Sequence, residues 1–555
     1  MNQTIFVLLT VLFAASIVVT VTIIKRRRKK RRTLLYLKKI WGSKDPGHER
    51  VFIPENRKRL MNSIKKEYSF FIDDITWDDL NMDKIFQRLN YTRSTVGEDF
   101  LYSMLHLPVF DDKQLTGREE MIALFQQDES LRLSLQYYLT NLGLIQETNL
   151  ADWLYGSPFK SSIRILPFIG LVLLLLISPL FIIINPGLGI IMMVMTMIIN
   201  ITVHAKTIRD LSVYLEPVQY LVRMIAAAGK ISKIKHEALN EHCINLSALF
   251  RKLNTFSIQN FSFMQAVIQE PFTEYLKTVL LGEIIFFKNT MRELLNHQKE
   301  VREIFNILGI LDSCLSIASF RDSISNWCKP DFNSGRSLVF SVKDAWHPLI
   351  DKPVPSSILM EKPVLLTGSN ASGKSTWLKV CAVNILFAQT IHTCTAASYY
   401  CSYFRLFSSM ALRDDIVSGE SYYIVEIRSL KRILDAVDEE PAVFCVIDEV
   451  LRGTNTVERI AASSEVLQLL SGKRCLCMAA THDLELVQLL KNSYSSFHFQ
   501  ESITDNGIVF DYLLYPGPTK TRNAIKLLSI MDYDEELVAK AEQKAKAFMD
   551  TGIWQ

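Results

Sequence analysis

Paired cysteines are what this sequence most plainly lacks. Its nine cysteines are scattered, none forms a CxxC pair, and their number is odd. That pattern argues against a disulfide framework or a structural zinc site and predicts reduced thiols in a cytosolic compartment. A net excess of positive charge is also missing once a single run is set aside. The net charge is +4, but Lys25 to Arg32 supplies eight positive charges, so everything else sums to −4. Domains that grip a nucleic-acid duplex carry a basic footprint, and here the concentrated footprint sits beside an apolar segment. Beyond that run there is no internal repeat or low-complexity tract. The helical stretches show no metal-ligand cluster and no nucleophile–base pattern. His236, His242 and His297 are lone histidines on helical runs and read as surface residues.

Apolar residues, by contrast, are plentiful. They make up 49% of the 555 positions, high for a wholly soluble chain, and the length allows two or three domains. Ile5 to Ile24 is an uncharged run of twenty residues. At about 1.5 Å per residue, a helix of that length spans about 30 Å, the hydrocarbon thickness of a bilayer. A cleaved signal peptide carries its positive charge before the apolar run and a small-residue cleavage site after it. The reverse order here predicts an uncleaved anchor with its N-terminus outside and the basic flank in the cytoplasm, facing anionic lipid. A nuclear or nucleic-acid patch is the alternative reading of the basic run. A second apolar region runs from Ile165 to Ile184, then Asn185-Pro186-Gly187, then Leu188 to Val203. Asn-Pro-Gly is a turn signal, so a helical hairpin is expected. Lys160 and Arg164 before it, and Lys206 and Arg209 after it, put both ends on the cytoplasmic side. Asn200 near the end of the short second arm leaves a re-entrant hairpin open, and a buried pair of soluble helices is the other alternative.

Residues 33–160 and 207–330 read as helical; Leu211, Tyr214, Leu215, Val218 and Leu221 show the periodicity. From about Leu338 short β-rich runs alternate with helices, the pattern of a parallel-sheet α/β domain. Within it, Gly368-SNAS-Gly373-Lys374-Ser375 fits G-x-x-x-x-G-K-[ST]. Glycines let backbone N–H groups wrap phosphates, and a helix starting there points its positive end at them. Lys374 would reach the β- and γ-phosphates, and the Ser375 hydroxyl would ligate Mg²⁺. Ala442 to Ile447 is a buried-strand run ending in Asp448-Glu449. The aspartate is placed to hold magnesium and the glutamate to orient or deprotonate an attacking water. A third apolar strand, Cys475 to Ala480, ends in Thr481-His482, where the histidine could sense the γ-phosphate.

Together these motifs resemble the ATPase domain of the MutS family, within the ABC-ATPase superclass. Asp344-Ala-Trp-His347-Pro348 is similar to that family's D-x-R-H-P, with tryptophan for arginine. Thr367 to Ser375 matches its T-G-x-N-x-x-G-K-S loop, Asn370 included. Arg413 to Ser421, followed by Val425-Glu426, resembles D-D-x-x-x-G-x-S-T-F. Asp448 to Thr456 resembles D-E-x-x-R-G-T-S-T, Thr481-His482 matches its T-H, and Tyr512 to Gly517 resembles its closing Y-K-L-x-P-G. Upstream, Thr95-Val-Gly97-Glu-Asp-Phe-Leu101 to Pro108, with Arg118-Glu-Glu, and Leu311-Asp312-x-x-x-Ser-Ile-Ala-Ser are similar to the start and end of the family's core domain.

The resemblance implies an α/β P-loop ATPase of ABC/MutS type, preceded by an all-helical core or lever domain and joined here to transmembrane helices. It implies ATP and Mg²⁺ as ligands and a homodimer joined head to tail through the ATPase domains. ATP would be held by Gly368, Asn370, Ser372, Gly373, Lys374, Ser375 and Thr376, and by Ser421 from the other subunit. Ser375 and Asp448 would hold the metal, and Glu449 and His482 would be catalytic. The expected division is 1–32 anchor and basic flank, 33–160 helical region resembling the start of the core domain, 161–206 transmembrane hairpin, 207–335 helical lever, and 336–555 ATPase domain, cytoplasmic on a multi-pass membrane protein.

Three functions stay open. The family implies binding of duplex DNA, mismatched DNA included, but the chain carries an anchor where the family has its F-x-E mismatch reader, and 203–311 leaves little room for a DNA clamp. A similar string, Phe499-Gln-Glu501, falls instead on a late strand of the ATPase domain. Without DNA, the chain would be an ATP-driven switch at the membrane acting on a protein or lipid partner. An ABC transporter subunit ranks last, because Val417-SGES stands where L-S-G-G-Q is needed.

Overall fold

A computed structural model describes residues 2–45, 54–145, 150–155, 165–255, 258–259, 278–369, 372–410, 422–504, 507–519, 525, 528 and 533–551. A helical part precedes two mixed sheets. The chain divides into two compact units. One comprises Met1–Ser69, Leu89–Ser103 and Glu120–Ser323; the other comprises Phe70–Arg88, Met104–Glu119 and Ile324–Gln555.

In the first unit, the apolar and basic N-terminal runs share one unbroken helix, Asn2–Ile40. Beyond its exposed basic stretch, Lys38 of this helix pairs with Glu129 at 2.8 Å. The hairpin is built from helices Leu166–Ile184 and Pro186–Ile231. Asn185 ends the first and caps the second, its side chain accepting the N–H groups of Gly187 (3.1 Å) and Leu188 (3.2 Å). Pro186, lacking an N–H, fits the first helical position. A Cβ on Gly189 would stand 2.4 Å from the Ile182 backbone nitrogen, so only glycine lets the arms approach this closely. Leu166–Ile184 and Pro186–Ser212 are each long and apolar enough to cross a membrane, and only 6% and 17% of them is buried. Asn200 is an exception to that exposure: it is fully buried and donates to the Val279 carbonyl at 2.8 Å. Helix Gln298–Asp322 passes the same length and composition test but is 78% buried, which makes it a core helix.

That core helix crosses Thr95–His106 at two glycines. A Cβ on Gly97 would lie 2.2 Å from Asp312 Oδ2, and one on Gly309 would lie 2.6 Å from Phe100 Cβ. Fully buried Asp312 accepts the backbone N–H of Arg93 (3.1 Å), the N–H of Ser94 (2.9 Å) and the Ser94 hydroxyl (2.6 Å). The donors that open one helix are thus satisfied by a carboxylate from another. Ser316, one turn further on, accepts Tyr91 N–H and donates to Leu89 O, both at 2.7 Å.

The second unit holds a four-stranded sheet, ordered β1 (Asp331–Phe332), β5 (Ser398–Cys401), β2 (Phe340–Ala345), β3 (Ser356–Met360). Its larger sheet is ordered β10 (Gly507–Pro516), β9 (Ser495–Thr504), β4 (Val364–Thr367), β8 (Cys475–Ala480), β7 (Val443–Asp448), β6 (Arg405–Ser409). All its pairings are parallel except that of β10 with β9. β4 and β8 are buried along their whole length and β7 up to Asp448, which is why they read as continuous apolar runs. Segment 70–88 belongs with these sheets although its sequence looks like any other helical stretch. Its Asp79, almost fully buried, accepts the Ser408 hydroxyl (2.6 Å) and Met410 N–H (3.0 Å), covering the edge strand β6.

Candidate nucleotide site

Register brings the chemistry together. Leu366 of β4 and Asp448 of β7 both pair with Ala480 of β8, so the loops after these three neighbouring strands leave the sheet side by side. Two bonds extend the ladder: Glu449 N–H to Ala480 O and Thr481 N–H to Leu366 O, each 2.9 Å. In a parallel sheet, this edge, past the strands' C-terminal ends, is where ligands bind.

After β4 the chain turns through Gly368 (φ +143°) and Gly373 (φ +109°) into helix Lys374–Ile391. Both angles favour glycine, and a Cβ on Gly368 would also lie 2.8 Å from Phe499 O. Lys374, 5% exposed, donates to Gly368 O (2.8 Å) and Ser369 O (2.7 Å), with His482 Nε2 at 3.5 Å. Burial pushes its pKa down to about 8, although Asp448 and Glu449 favour the charged form. The Ser375 hydroxyl donates to Asp448 Oδ2 at 2.5 Å.

Glu449 takes a left-handed backbone (φ +57°), as does Leu451 (φ +58°). Such angles in residues other than glycine cost about 1 kcal/mol or more and persist only where the surroundings enforce them. Here the enforcement is visible. Glu426 accepts the Arg452 N–H at 3.2 Å, and a Cβ on Gly453 would lie 2.9 Å from Tyr423 Cβ. The turn beneath Glu449 is therefore pinned against the helix Tyr422–Ala436. Burial alone would raise the Glu449 pKa, but its hydrogen bond to His482, Arg452 and Lys374 outweigh that and hold it below the usual carboxylate range. Glu449 Oε1 lies 2.7 Å from His482 Nε2, and Oε2 meets Arg452. Next to His482, Asp483 holds Arg459 through two bonds of 2.7 and 3.0 Å.

Lys374, Ser375, Asp448, Glu449 and Arg452 line a cavity of about 540 Å³ whose wall also includes His347, Ile350, Pro353, Val354 and Tyr512. Among the described residues, three buried polar atoms on its lining have neither a hydrogen-bond nor an ion-pair partner: Ser372 Oγ, Trp377 Nε1 and His347 Nε2. Burial lowers the His347 pKa to about 4, so the ring is neutral, and its Nδ1 accepts Leu349 N–H at 3.3 Å. The proton then sits on Nε2, a donor aimed at the cavity. Buried donors without partners mark a place for a ligand with acceptors. Oxygen donors of Ser375 and Asp448 suit a hard divalent cation. Among the described residues, no group of three or more His, Cys, Asp or Glu side chains could hold a metal ion. Mg²⁺ asks for only one or two protein oxygens, because phosphates and water complete its shell.

Residues 364–549 match the family model for MutS domain V. The chain is 27% identical over 263 residues to the DNA mismatch repair protein MutS of Thermus aquaticus, covering 46% of this chain and 32% of that protein. It is 28% identical over 279 residues to MutS protein homolog 4 of Homo sapiens, covering 46% and 28%. Residues 364–549 thus carry a MutS domain V, and the relatives that share this region are MutS proteins. The match spans about a third of the length of the curated relatives.

In this MutS-like domain, Gly368, Ser372, Gly373, Lys374, Ser375, Thr376, Asp448, Glu449 and His482 fall at the same strand ends, and all but Gly368 and His482 line the cavity itself. Asn370 and Ser421 lie outside the described residues. Sequence reasoning missed four residues. The unpartnered donor of His347 gave no signal beyond its place in a motif, and that of Trp377, two residues past the loop motif, gave none. Arg452 was seen only as a letter of the D-E-x-x-R-G run. Glu501, set aside as a coincidental string, accepts the Ser369 hydroxyl at 2.7 Å.

Proposed function

We propose that this MutS-family chain is a Mg²⁺-dependent ATPase that works as a head-to-tail pair tethered to a membrane, with its ATPase part in the cytoplasm. One observation carries the reading: Lys374, the Ser375–Asp448 pair and the Glu449–His482 pair converge at the ends of three neighbouring strands. Lys374 and the loop N–H groups receive the β- and γ-phosphates. The apolar side chains of Ile350, Pro353 and Val354 offer a face to the purine, and the His347 and Trp377 N–H groups offer donors to nucleotide acceptors. Mg²⁺ held by Ser375 and Asp448 supplies neutralisation of phosphate charge. Glu449 orients a water and takes its proton as the water oxygen bonds to the γ-phosphorus and the bond to the ADP oxygen breaks. His482 keeps the carboxylate aimed. Ser421 of a second copy closes the site from across the pair, and closure moves the helical part.

The relatives' names speak of DNA mismatch repair, and duplex DNA is the load proposed on that ground. A second reading, a lipid or protein load without DNA, is favoured by the exposed apolar hairpin and by the −4 balance outside the basic run. ATP turnover by the full chain, measured alone and with homoduplex, mismatched duplex or liposomes, separates them. Salt-sensitive stimulation by duplex supports the first; stimulation by liposomes alone overturns it in favour of the second.

A further inference from the structure

Two uncharged N–H donors line the cavity without an acceptor among the described residues: Trp377 Nε1 and His347 Nε2. Trp377 is 4% exposed and His347 6% exposed, so each side chain is more than nine-tenths buried. They come from separate parts of the chain. His347 follows β2 and opens the segment that brings Ile350, Pro353 and Val354 to the cavity. Trp377 lies on helix Lys374–Ile391, directly after Lys374, Ser375 and Thr376, and Val380, three residues on along the same face, lines the cavity too. The lining that these two segments contribute is largely apolar, and Lys352 is the one charged side chain in it.

The two donors are also chemically alike. An indole N–H donates without carrying charge. The His347 imidazole is held neutral, because burial and the nearby Lys379 both disfavour its positive form, and its Nδ1 accepts the Leu349 N–H. An anion placed beside an imidazole draws a proton onto it, whereas a ring kept neutral suits an uncharged acceptor. Phosphate oxygens have partners of another kind in Lys374 and the N–H groups of the glycine loop. Ser372 Oγ, the third unpartnered atom, belongs to that loop. We infer that Trp377 and His347 are specificity-determining donors for the nucleoside end of the ligand, giving their N–H groups to uncharged nitrogen or oxygen acceptors of base and sugar rather than to phosphate. This rests on the nucleotide reading above. One set of groups then grips the triphosphate and another selects what is attached to it. Each donor that gains an acceptor on binding adds about tenfold in affinity.

Two substitutions remove the donors singly. Trp377→Phe keeps an aromatic ring and deletes the N–H. His347→Asn keeps an oxygen for the Leu349 N–H and deletes the Nε2 donor. The test is isothermal titration calorimetry of the purified full-length chain in detergent, with Mg²⁺ and either ATP or inorganic tripolyphosphate, and with thermal melting in parallel. Wild type binds ATP more tightly than tripolyphosphate. Each variant binds ATP about tenfold more weakly than wild type and tripolyphosphate as wild type does. Unchanged ATP affinity in a normally melting Trp377→Phe overturns the inference. Equal losses for both ligands also overturn it, because they put the donor on phosphate. If Trp377→Phe does not fold, His347→Asn decides by the same two readings. Wild type binding neither ligand overturns the nucleotide reading itself, whereas wild type binding both equally well overturns only the nucleoside role.

Discussion

The Glu449 carboxylate is held by His482, whose Nε2 lies 2.7 Å from Oε1, at the ends of strands β7 and β8. Arg452 meets the other oxygen, and both partners favour the ionised form. An ionised carboxylate fixed in direction is what activation of water requires.

Glu449→Gln keeps the shape and removes the base. Turnover should fall by about 100-fold or more while ATP binding persists, leaving a trapped ATP-bound state. His482→Ala only releases the carboxylate and should cost about tenfold. Single-turnover hydrolysis alongside equilibrium binding measures both effects. Normal hydrolysis by Glu449→Gln would show that another group activates the water.

Lys374 supplies a pH dependence. With its pKa lowered to about 8 by burial, its charge is complete well below pH 8 and is lost as pH rises through it. Triphosphate affinity should therefore decline between about pH 7 and pH 9. Lys374→Ala, about 100-fold weaker throughout, should lack that decline. Titrations across this range check the slope in both proteins.

Asp312 supplies a second pH dependence, in the helical unit and with the opposite chemistry. Burial pushes its pKa up from 3.8 to about 6, although the donors of Ser94 and Arg93 pull it down. A carboxyl that binds its proton more tightly when folded favours the fold at low pH, and that contribution is withdrawn as pH climbs through about 6. Asp312→Asn does not titrate. Its loss in melting temperature relative to wild type should thus be larger at about pH 4 than at about pH 7. A deficit that does not change with pH would contradict this.

Gly97 and Gly117 make a matched pair. A Cβ at Gly97 meets the fixed Asp312 carboxylate at 2.2 Å, while one at Gly117 meets nothing within 4 Å. Gly97→Ala should destabilise by about 2–4 kcal/mol. Gly117→Ala, in the helix Asp112–Gln127, should stabilise by about 0.5–1 kcal/mol. Denaturant melts of the two variants test the contact directly.

What the sequence revealed follows how local each signal is. The glycine spacing from Gly368 to Gly373 and the apolar runs ahead of Asp448 and Thr481 are contiguous patterns, so strands and loops could be read from them. The Gly97 and Asp312 strings were visible as two separate likenesses. Their meeting was not: the buried Asp312 carboxylate reaches Ser94, just ahead of the first string, across 218 positions. Glu501 escaped for the same reason: strand pairing, not spacing, carries it to Ser369, 132 positions away. The grouping of 70–88 with the sheets rests on contacts such as those of Thr76 and Asp79 with Ser408 of β6, and no local pattern marks those residues out. The burial of Gln298–Asp322 is likewise a property of packing: it is less apolar than the hairpin arms but also long enough to span, and only its contacts show it to be a core helix.

The most direct measurement is equilibrium binding of ATP, with Mg²⁺ supplied, to the purified full-length chain beside its Lys374→Ala variant. Saturable binding by the wild type that is lost in the variant is the predicted result. No measurable uptake by the wild type would contradict the account.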